Sequence, residues 1–164
     1  MTDLKPPPLS LLEKYTGSDF APLYKTSVVV TGGEARHGRA SGIAKSNDGA
    51  LDLNLRLPPE LGGAGGGTNP EQMLAAGFAA CFHGALNLIA SKKKISVKES
   101  EIKVIVTFGR DPTDGMNSLI TEVEVKLPGV PESVANELIQ ETEKICPYSK
   151  LMRQGARSSV KRVS

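Results

Sequence analysis

The stretch TNPEQMLAAGFAACFHGALNLIASK, residues 68–92, decides the fold because it joins a helix start signal to a long apolar run. Thr68 or Asn69 can cap a helix, and Pro70 suits its first turn. Glu71 complements the positive end of the helix dipole. These signals predict one long helix over the whole stretch.

The middle of this helix needs a test for membrane insertion, because residues 73–90 hold 18 residues without a charge, the lower length limit for a spanning helix. Many alanines and glycines, together with His83 and Asn87, make insertion weak. We therefore predict a buried core helix and no membrane span. Because the helix is apolar almost all round, one sheet cannot cover it, and we predict that a second copy does so in an obligate dimer.

The period-two pattern of a half-buried strand is clearest before this helix. Leu51, Leu53, Leu55 and Leu57 alternate with polar residues, so one face of the strand is buried and the other is wet. Residues 24–31 are rich in Val and Thr and stop at two glycines, which also predicts a strand followed by a turn.

After the long helix, residues 102–108 and 119–127 predict two more strands, and the loop at 110–117 predicts a hairpin between them. A second helix is predicted over 131–145, and residues 158–163 favour a short final strand. The predicted inner stripe of the second helix consists of Ala135, Leu138, Ile139, Thr142 and Ile145. Strands and helices in this order indicate an α+β fold.

Composition limits the function more than it defines it. The 164 residues suit a single domain, here residues 24–164 behind an N-terminal arm at 1–23, and the 20 basic and 18 acidic residues leave a net charge of +2. Neither this charge nor the 4% aromatic content favours a nucleic-acid partner. The N-terminus has a proline triplet and lacks the pattern of a signal peptide.

The glycine-rich segment at residues 62–67 invites comparison with phosphate-binding loops. A P-loop needs a Lys-Ser/Thr pair after the glycines, whereas Thr68 and Asn69 follow here. The dinucleotide fingerprint also fails, because Thr68 stands in place of its third glycine. We interpret the segment as a flexible connection that leads into the helix.

The two cysteines carry more chemical information. Cys81 lies in the middle of the long helix, and Cys146 lies beside Pro147 at the predicted end of the second helix. A lone helical cysteine is commonly an inert small apolar side chain. As a redox pair, one thiolate would attack an oxidant and the other would capture the sulfenic acid. Neither Arg nor Lys lies near Cys81 in sequence, so any activating cation must arrive through the fold.

A zinc site is the competing hypothesis for these cysteines. Its ligands would be Cys81, Cys146, His37 and His83, but they show none of the usual ligand spacings. His83 lies two residues from Cys81, about 200° round the helix, which also disfavours a cysteine–histidine hydrolase. His83 and Asn87 are four residues apart and are predicted to share a polar stripe.

Three separated motifs give the chain a family resemblance. Their sequences are Leu-Gly-Gly at 61–63 leading to Thr-Asn-Pro-Glu-Gln at 68–72, Ala-Ala-Cys-Phe at 79–82, and Cys-Pro-Tyr-Ser at 146–149. In this order they resemble the organic hydroperoxide resistance proteins of the OsmC/Ohr superfamily, over residues 24–164. The resemblance implies an intertwined α+β homodimer with antiparallel sheets wrapped around central helices. It also implies a thiol peroxidase for organic hydroperoxides, recycled by dihydrolipoamide or lipoylated proteins, with no bound cofactor or metal.

The same resemblance assigns roles to individual residues. Cys81 is expected to be the peroxidatic cysteine and Cys146 the resolving one. Glu71 is expected to orient an active-site arginine, for which Arg36 is the first choice and Arg39 the second. The arginine normally follows the Gly-Gly turn closely, and here the spacing is longer by about two residues.

These roles predict that a guanidinium donates to the Cys81 thiolate and to the peroxide oxygen that becomes negative. Phe82 and Leu57 are the candidates for an apolar entrance that favours alkyl and lipid hydroperoxides. The alternative hypothesis is a non-catalytic small-molecule binding module on the same fold, with both cysteines reduced and structural. The expected location is the cytoplasm, or mitochondria in a eukaryote because lipoyl donors are found there.

Overall fold

The structure is a computed structural model that describes residues 9–34, 36 and 40–163. The described residues form two compact units. The first, here called the cysteine unit, comprises residues 9–14, 76–105 and 121–163, and the second, here called the sheet unit, comprises residues from 15–75 and 106–120. The predicted boundary between an arm and a domain at residue 24 stays a prediction.

Eight strands and helices of regular geometry follow one another along the described part of the chain. In order they are β1 (Val28–Thr31), β2 (Ser41–Ser46), β3 (Asp52–Arg56), α1 (Pro70–Lys92), β4 (Glu101–Arg110), β5 (Asn117–Lys126), α2 (Glu132–Ile145) and α3 (Pro147–Gln154). Short 3-10 turns cover Leu9–Leu12 and Pro59–Leu61. The strand pairs are antiparallel where their register is defined, and the α+β class predicted from the sequence is confirmed.

The sheet unit contains a three-stranded antiparallel sheet in the order β1-β2-β3. Strand β3 confirms the period-two prediction, because Leu53 is half-buried and Leu55 is buried, whereas Asp52 and Asn54 are exposed. Strand β1 covers only the last part of the predicted stretch at residues 24–31, and β2 was not predicted.

Close approach between β1 and β2 depends on Gly42. Its φ of +100° lies in the region that favours glycine, and a Cβ there would lie 2.5 Å from the carbonyl oxygen of Thr31. A residue with a side chain would therefore have to push the two strands apart, which explains why glycine occupies this position.

Helix α1 confirms the prediction at both ends. Asn69 provides the cap, since its Oδ1 accepts a hydrogen bond from the backbone N–H of Gln72 at 2.9 Å. The buried residues of the helix are Phe78, Phe82, Leu86, Leu88, Ile89 and Ala90. By length and composition α1 could also cross a membrane, but buried core helices meet the same criteria, so this is weak evidence for a span.

Strands β4 and β5 form the predicted hairpin. Its turn is closed by Asp111, whose carboxylate accepts the N–H of Thr113 at 2.8 Å and whose carbonyl accepts the N–H of Gly115 at 2.8 Å. These two hydrogen bonds to Asp111 stabilise the turn where the chain reverses, a role that aspartate commonly has in turns.

Helix α2 confirms the second predicted helix, with Leu138 and Thr142 fully buried. The stripe ends there, because Ile145 is 41% exposed and the residue after it, Cys146, turns into the core instead. Helix α3 has no counterpart among the predicted elements, because the sequence marks Pro147 only as a boundary. The predicted strand at residues 158–163 is wrong: this segment has no regular structure, and Val160 and Val163 face outward with no strand to pair with in the described chain.

The cysteine unit has two adjoining apolar clusters. The first is centred on Leu86 and Leu138, and Leu12 from the predicted arm packs against it. The second is formed by Phe78, Phe82 and Cys146. Helix α1 contributes to both clusters, so its position fixes where Cys81 lies.

Candidate active site

The structure brings the two cysteines together although they are 65 positions apart in the chain. The thiol of Cys146 donates a hydrogen bond to the sulfur of Cys81, with 3.6 Å between the two Sγ atoms. Both are free thiols. A disulfide needs about 2.05 Å, so a side-chain movement of under about 2 Å would allow the bond to form.

Cys146 is held at the junction of two helices. Its N–H donates to the carbonyl of Thr142 at 2.9 Å, which closes α2, and its own carbonyl accepts the N–H of Lys150 at 3.1 Å, which opens α3. Pro147 cannot continue α2 but suits the first position of α3. Because backbone bonds fix it on both sides, the fully buried Cys146 presents its thiol from a defined position.

Cys81 lies half-buried on α1, facing this junction. Burial raises the pKa of its thiol, the backbone N–H of Tyr148 donates to the sulfur and opposes the rise, and the neighbouring Cys146 adds to it. The net direction is upward. The cysteine pair alone therefore does not supply the thiolate that nucleophilic chemistry requires.

Aromatic side chains surround the sulfurs. The ring of Tyr148 stacks on Phe78 with centroids 5.9 Å apart and an interplanar angle of 24°, and Phe78 meets Phe82 edge-on at 6.5 Å. The motif at residues 146–149 contains Tyr148, but the motif itself does not indicate its contacts with α1. The signal that could have found them is Gly77, one helical turn before Cys81.

An apolar cavity of about 300 Å³ lies in the cysteine unit beside the second cluster. Phe78 and Phe82 belong to both the cavity wall and the cluster around Cys146. Val123, Val125 and Ile139 complete most of its apolar lining, while Glu143 and Arg153 form an ion pair at its edge. Of the two residues proposed for an apolar entrance, Phe82 lines this cavity, and Leu57 lines a different one in the sheet unit.

The arginine and glutamate expected at the site belong to the sheet unit. The Nε atom of Arg36 lies 3.2 Å from Oε2 of Glu34, and the Arg36 side chain is 82% exposed. Glu71 is half-buried in the first turn of α1. Arg39 lies outside the described residues, as does His37. The roles of Arg36, Arg39 and Glu71 stay predictions.

A metal site was the rival hypothesis for the cysteines. Within residues 9–34, 36 and 40–163, no three His, Cys, Asp or Glu side chains are grouped so that they could hold a metal ion. His83 is exposed, and its Nε2 lies 3.2 Å from the Asn87 amide nitrogen, which confirms the predicted polar stripe.

A helix-borne cysteine in contact with a second thiol at a helix junction, on an α+β fold, is an arrangement typical of the class of small thiol-based redox proteins. A model of the family described as OsmC-like protein matches residues 63–161. An organic hydroperoxide resistance protein from Xanthomonas axonopodis pv. citri is 39% identical over 132 residues, which cover 80% of this chain and 88% of that protein.

Solved structures agree with these sequence matches. An organic hydroperoxide resistance protein from Legionella pneumophila has a TM-score of 0.72 at 36% identity and covers 82% of this chain and 93% of its own. OhrB of Bacillus subtilis has a TM-score of 0.69 at 36% identity, with 81% and 93% covered. The chain therefore belongs to the organic hydroperoxide resistance branch of the OsmC-like family.

Proposed function

We propose that this chain is a thiol-dependent peroxidase that reduces organic hydroperoxides to alcohols. The observation that carries the proposal is the 3.6 Å contact between Cys81 and Cys146. One thiol is half-buried and the other is fully buried, which is the arrangement expected of an attacking and a resolving cysteine. The names of the Xanthomonas and Bacillus relatives point to the same substrate class.

In the first step, the Cys81 thiolate attacks one oxygen of the hydroperoxide. A sulfur–oxygen bond forms, the oxygen–oxygen bond breaks, and the departing alkoxide takes a proton and leaves as the alcohol. The sulfur loses two electrons, which the peroxide gains, and Cys81 becomes a sulfenic acid.

In the second step, the Cys146 sulfur attacks the sulfenic sulfur of Cys81. A disulfide forms, the hydroxyl leaves with the Cys146 proton as water, and no further oxidant is consumed. The short distance between the two sulfurs favours this condensation over irreversible oxidation of Cys81 by a second peroxide.

A dithiol of the dihydrolipoyl class closes the cycle, either as dihydrolipoamide or on a lipoylated protein. One of its thiolates attacks the Cys81–Cys146 disulfide, and its second thiol completes the exchange, so that two protein thiols are restored and the dihydrolipoyl dithiol is oxidised to the cyclic lipoyl disulfide. The cycle uses thiols and peroxide alone and needs no metal, haem or flavin.

The reaction requires a cation, because burial raises the pKa of the Cys81 thiol. We assign this task to Arg36, with Arg39 as the second choice and Glu71 as the carboxylate that orients the guanidinium. The contact of Arg36 with Glu34 is an exposed ion pair of the kind worth about 0–1 kcal/mol, so exchanging it for another partner costs little.

An apolar substrate suits the surroundings of the cysteines. Apolar side chains form most of the lining of the cavity beside the second cluster, together with Thr121, Ser149 and the Glu143–Arg153 ion pair. Burial of a hydrocarbon tail is favourable by roughly 0.8 kcal/mol per methylene. Alkyl and lipid hydroperoxides are thus favoured over hydrogen peroxide. We place this activity in a homodimer located in the cytoplasm.

The test is turnover of an alkyl hydroperoxide with dihydrolipoamide as the sole reductant. Cys81→Ser should abolish turnover, whereas Cys146→Ser should consume one equivalent of peroxide and then fail to recycle. One equivalent of peroxide should also remove both free thiols of the unmodified chain. Full activity of Cys81→Ser would overturn the proposal, and survival of both thiols would favour the non-catalytic binding module.

A further inference from the structure

The first turn of α3 packs on α1 at a position where α1 has no side chain. An ideal Cβ on Gly77 would lie 2.8 Å from the Oη atom of Tyr148 and 3.2 Å from its Cζ. Real Cβ atoms essentially never approach another atom to within 3.0 Å. A side chain at residue 77 would therefore force the tip of the Tyr148 ring to move.

A second contact with α1, made by Phe78, also holds the Tyr148 ring. Its ring is stacked on Phe78 at 5.9 Å and 24°, a geometry worth about 0.5–1.5 kcal/mol beyond area burial. A ring that touches Gly77 at its tip and Phe78 on its face has little freedom to slide along α1.

The backbone of this tyrosine lies at the reactive sulfur. Cys81 and Tyr148 pack against the same apolar cluster. Pro147 has no N–H, so Tyr148 presents the first N–H of α3, and this backbone group lowers the pKa of the Cys81 thiol. The first N–H groups of a helix have no partner within it, which leaves this donor available. Gly77 precedes Cys81 by four residues, so both lie on the same face of α1.

We propose that Gly77 and the Tyr148 ring are positioning residues: their close packing seats the first turn of α3 on α1 so that the Tyr148 N–H lies on the sulfur of Cys81. The placement follows from the contacts of the described residues, and its consequence for turnover rests on the function proposed above. Substitution at Gly77 should therefore alter the acidity of Cys81 without touching either sulfur.

The groups around Cys81 determine the direction in which its pKa changes when the Tyr148 N–H moves. Burial and the Cys146 thiol raise the Cys81 pKa, and the Tyr148 N–H lowers it. Cys146 is a titratable group in contact with Cys81, and the Tyr148 phenol lies one helical turn away, at Gly77. Moving the N–H off the sulfur removes the group that lowers the Cys81 pKa, so the pKa rises further.

The experiment measures the pH dependence of Cys81 alkylation by iodoacetamide in a Cys146→Ala background, which leaves one thiol in the chain. Gly77→Ala should raise the midpoint by about 0.5–1 pH unit, the scale of a single lost donor. Gly84→Ala is the matched control, because it lies on the same helix and its Cβ would meet nothing within 4 Å. Both changes favour helix formation by about 1 kcal/mol, so neither is expected to unfold the protein.

A second variant separates packing from other effects of the substitution. Tyr148→Phe removes the Oη atom that Gly77→Ala would strike, so the double variant should recover most of the midpoint shift. An unchanged midpoint in Gly77→Ala, an equal shift in Gly84→Ala, or no recovery in the double variant would each overturn the inference. Alkylation involves no peroxide, so absence of peroxidase activity would count against the proposed function alone.

Discussion

Arg36 is the cation proposed to stabilise the Cys81 thiolate, because the cysteine pair itself contains no positive charge. Arg36→Ala should lower the second-order rate constant for an alkyl hydroperoxide by about 10²-fold, the usual cost of losing a preorganised donor to developing negative charge. The thiolate fraction of Cys81 increases with pH, and removing the cation raises the Cys81 pKa further. The rising limb of the pH–rate profile should therefore move to higher pH, which stopped-flow kinetics can measure.

Two companion variants make this result specific. Arg36→Lys keeps the charge but loses the planar fork of donors, so it should restore the position of the pH limb more fully than the rate. Arg39→Ala should have the smaller effect. A larger rate loss in Arg39→Ala than in Arg36→Ala would transfer the role to Arg39.

The pairing of β1 with β2 in the sheet unit leads to a prediction about the free energy of unfolding. Gly42→Ala should lower the free energy of unfolding by about 3 kcal/mol, because the new Cβ combines an unfavourable φ with a 2.5 Å approach to the Thr31 carbonyl oxygen. Urea unfolding followed by circular dichroism measures the change.

Gly49→Ala is the matched control for that change. Gly49 also has a positive φ, +75°, but a Cβ there would meet nothing within 4 Å. Gly49→Ala should lower the free energy of unfolding only through the unfavourable backbone conformation, by about 1–2 kcal/mol. Equal losses from the two substitutions would show that the approach of β1 to β2 contributes nothing.

Local signals were enough for the elements that carry their own pattern. The leucines around Leu55 alternate with polar residues and predicted β3, and the cap at Asn69 marked the start of α1. Strand β2 (Ser41–Ser46) has neither a run of branched residues nor a clear alternation, and its neighbours hold it in place. Residues 158–163 contain two valines, Val160 and Val163, three positions apart, and have no partner strand in the described chain. Strand-forming residues without a paired neighbour do not make a strand.

The candidate site was less accessible to sequence reasoning, because its parts meet only through tertiary packing. The sequence around Cys81 is also compatible with an inert helical side chain. The family resemblance is what indicates a reactive thiol. The contact with Cys146 depends on the turn at Pro147 and on the docking of α3. That docking involves Gly77, and a single glycine in a helix signals a close approach without showing which side chain makes it.

The exposed apolar side chains of β1 lead to a prediction about the oligomeric state. Val28, Val29 and Val30 on β1 are 49%, 60% and 55% exposed. Successive residues of a strand face opposite sides, so both faces of β1 are open in the single chain. Apolar side chains open on both faces of an edge strand favour an interface with a second copy. We therefore expect light scattering after gel filtration to give twice the mass of one chain at micromolar concentration.

Val29→Lys tests whether β1 takes part in that interface. A charge buried between two copies without a partner costs several kcal/mol, so the variant should dissociate at concentrations where the unmodified protein stays paired. Val160→Lys adds the same charge to a fully exposed side chain outside any regular element and should leave the mass unchanged. A monomeric unmodified protein would contradict the dimer, and a Val29→Lys protein that stays paired would place the interface elsewhere. If dimerisation also completes the active site, the peroxidase activity of Val29→Lys should fall with dilution in parallel with the dimer.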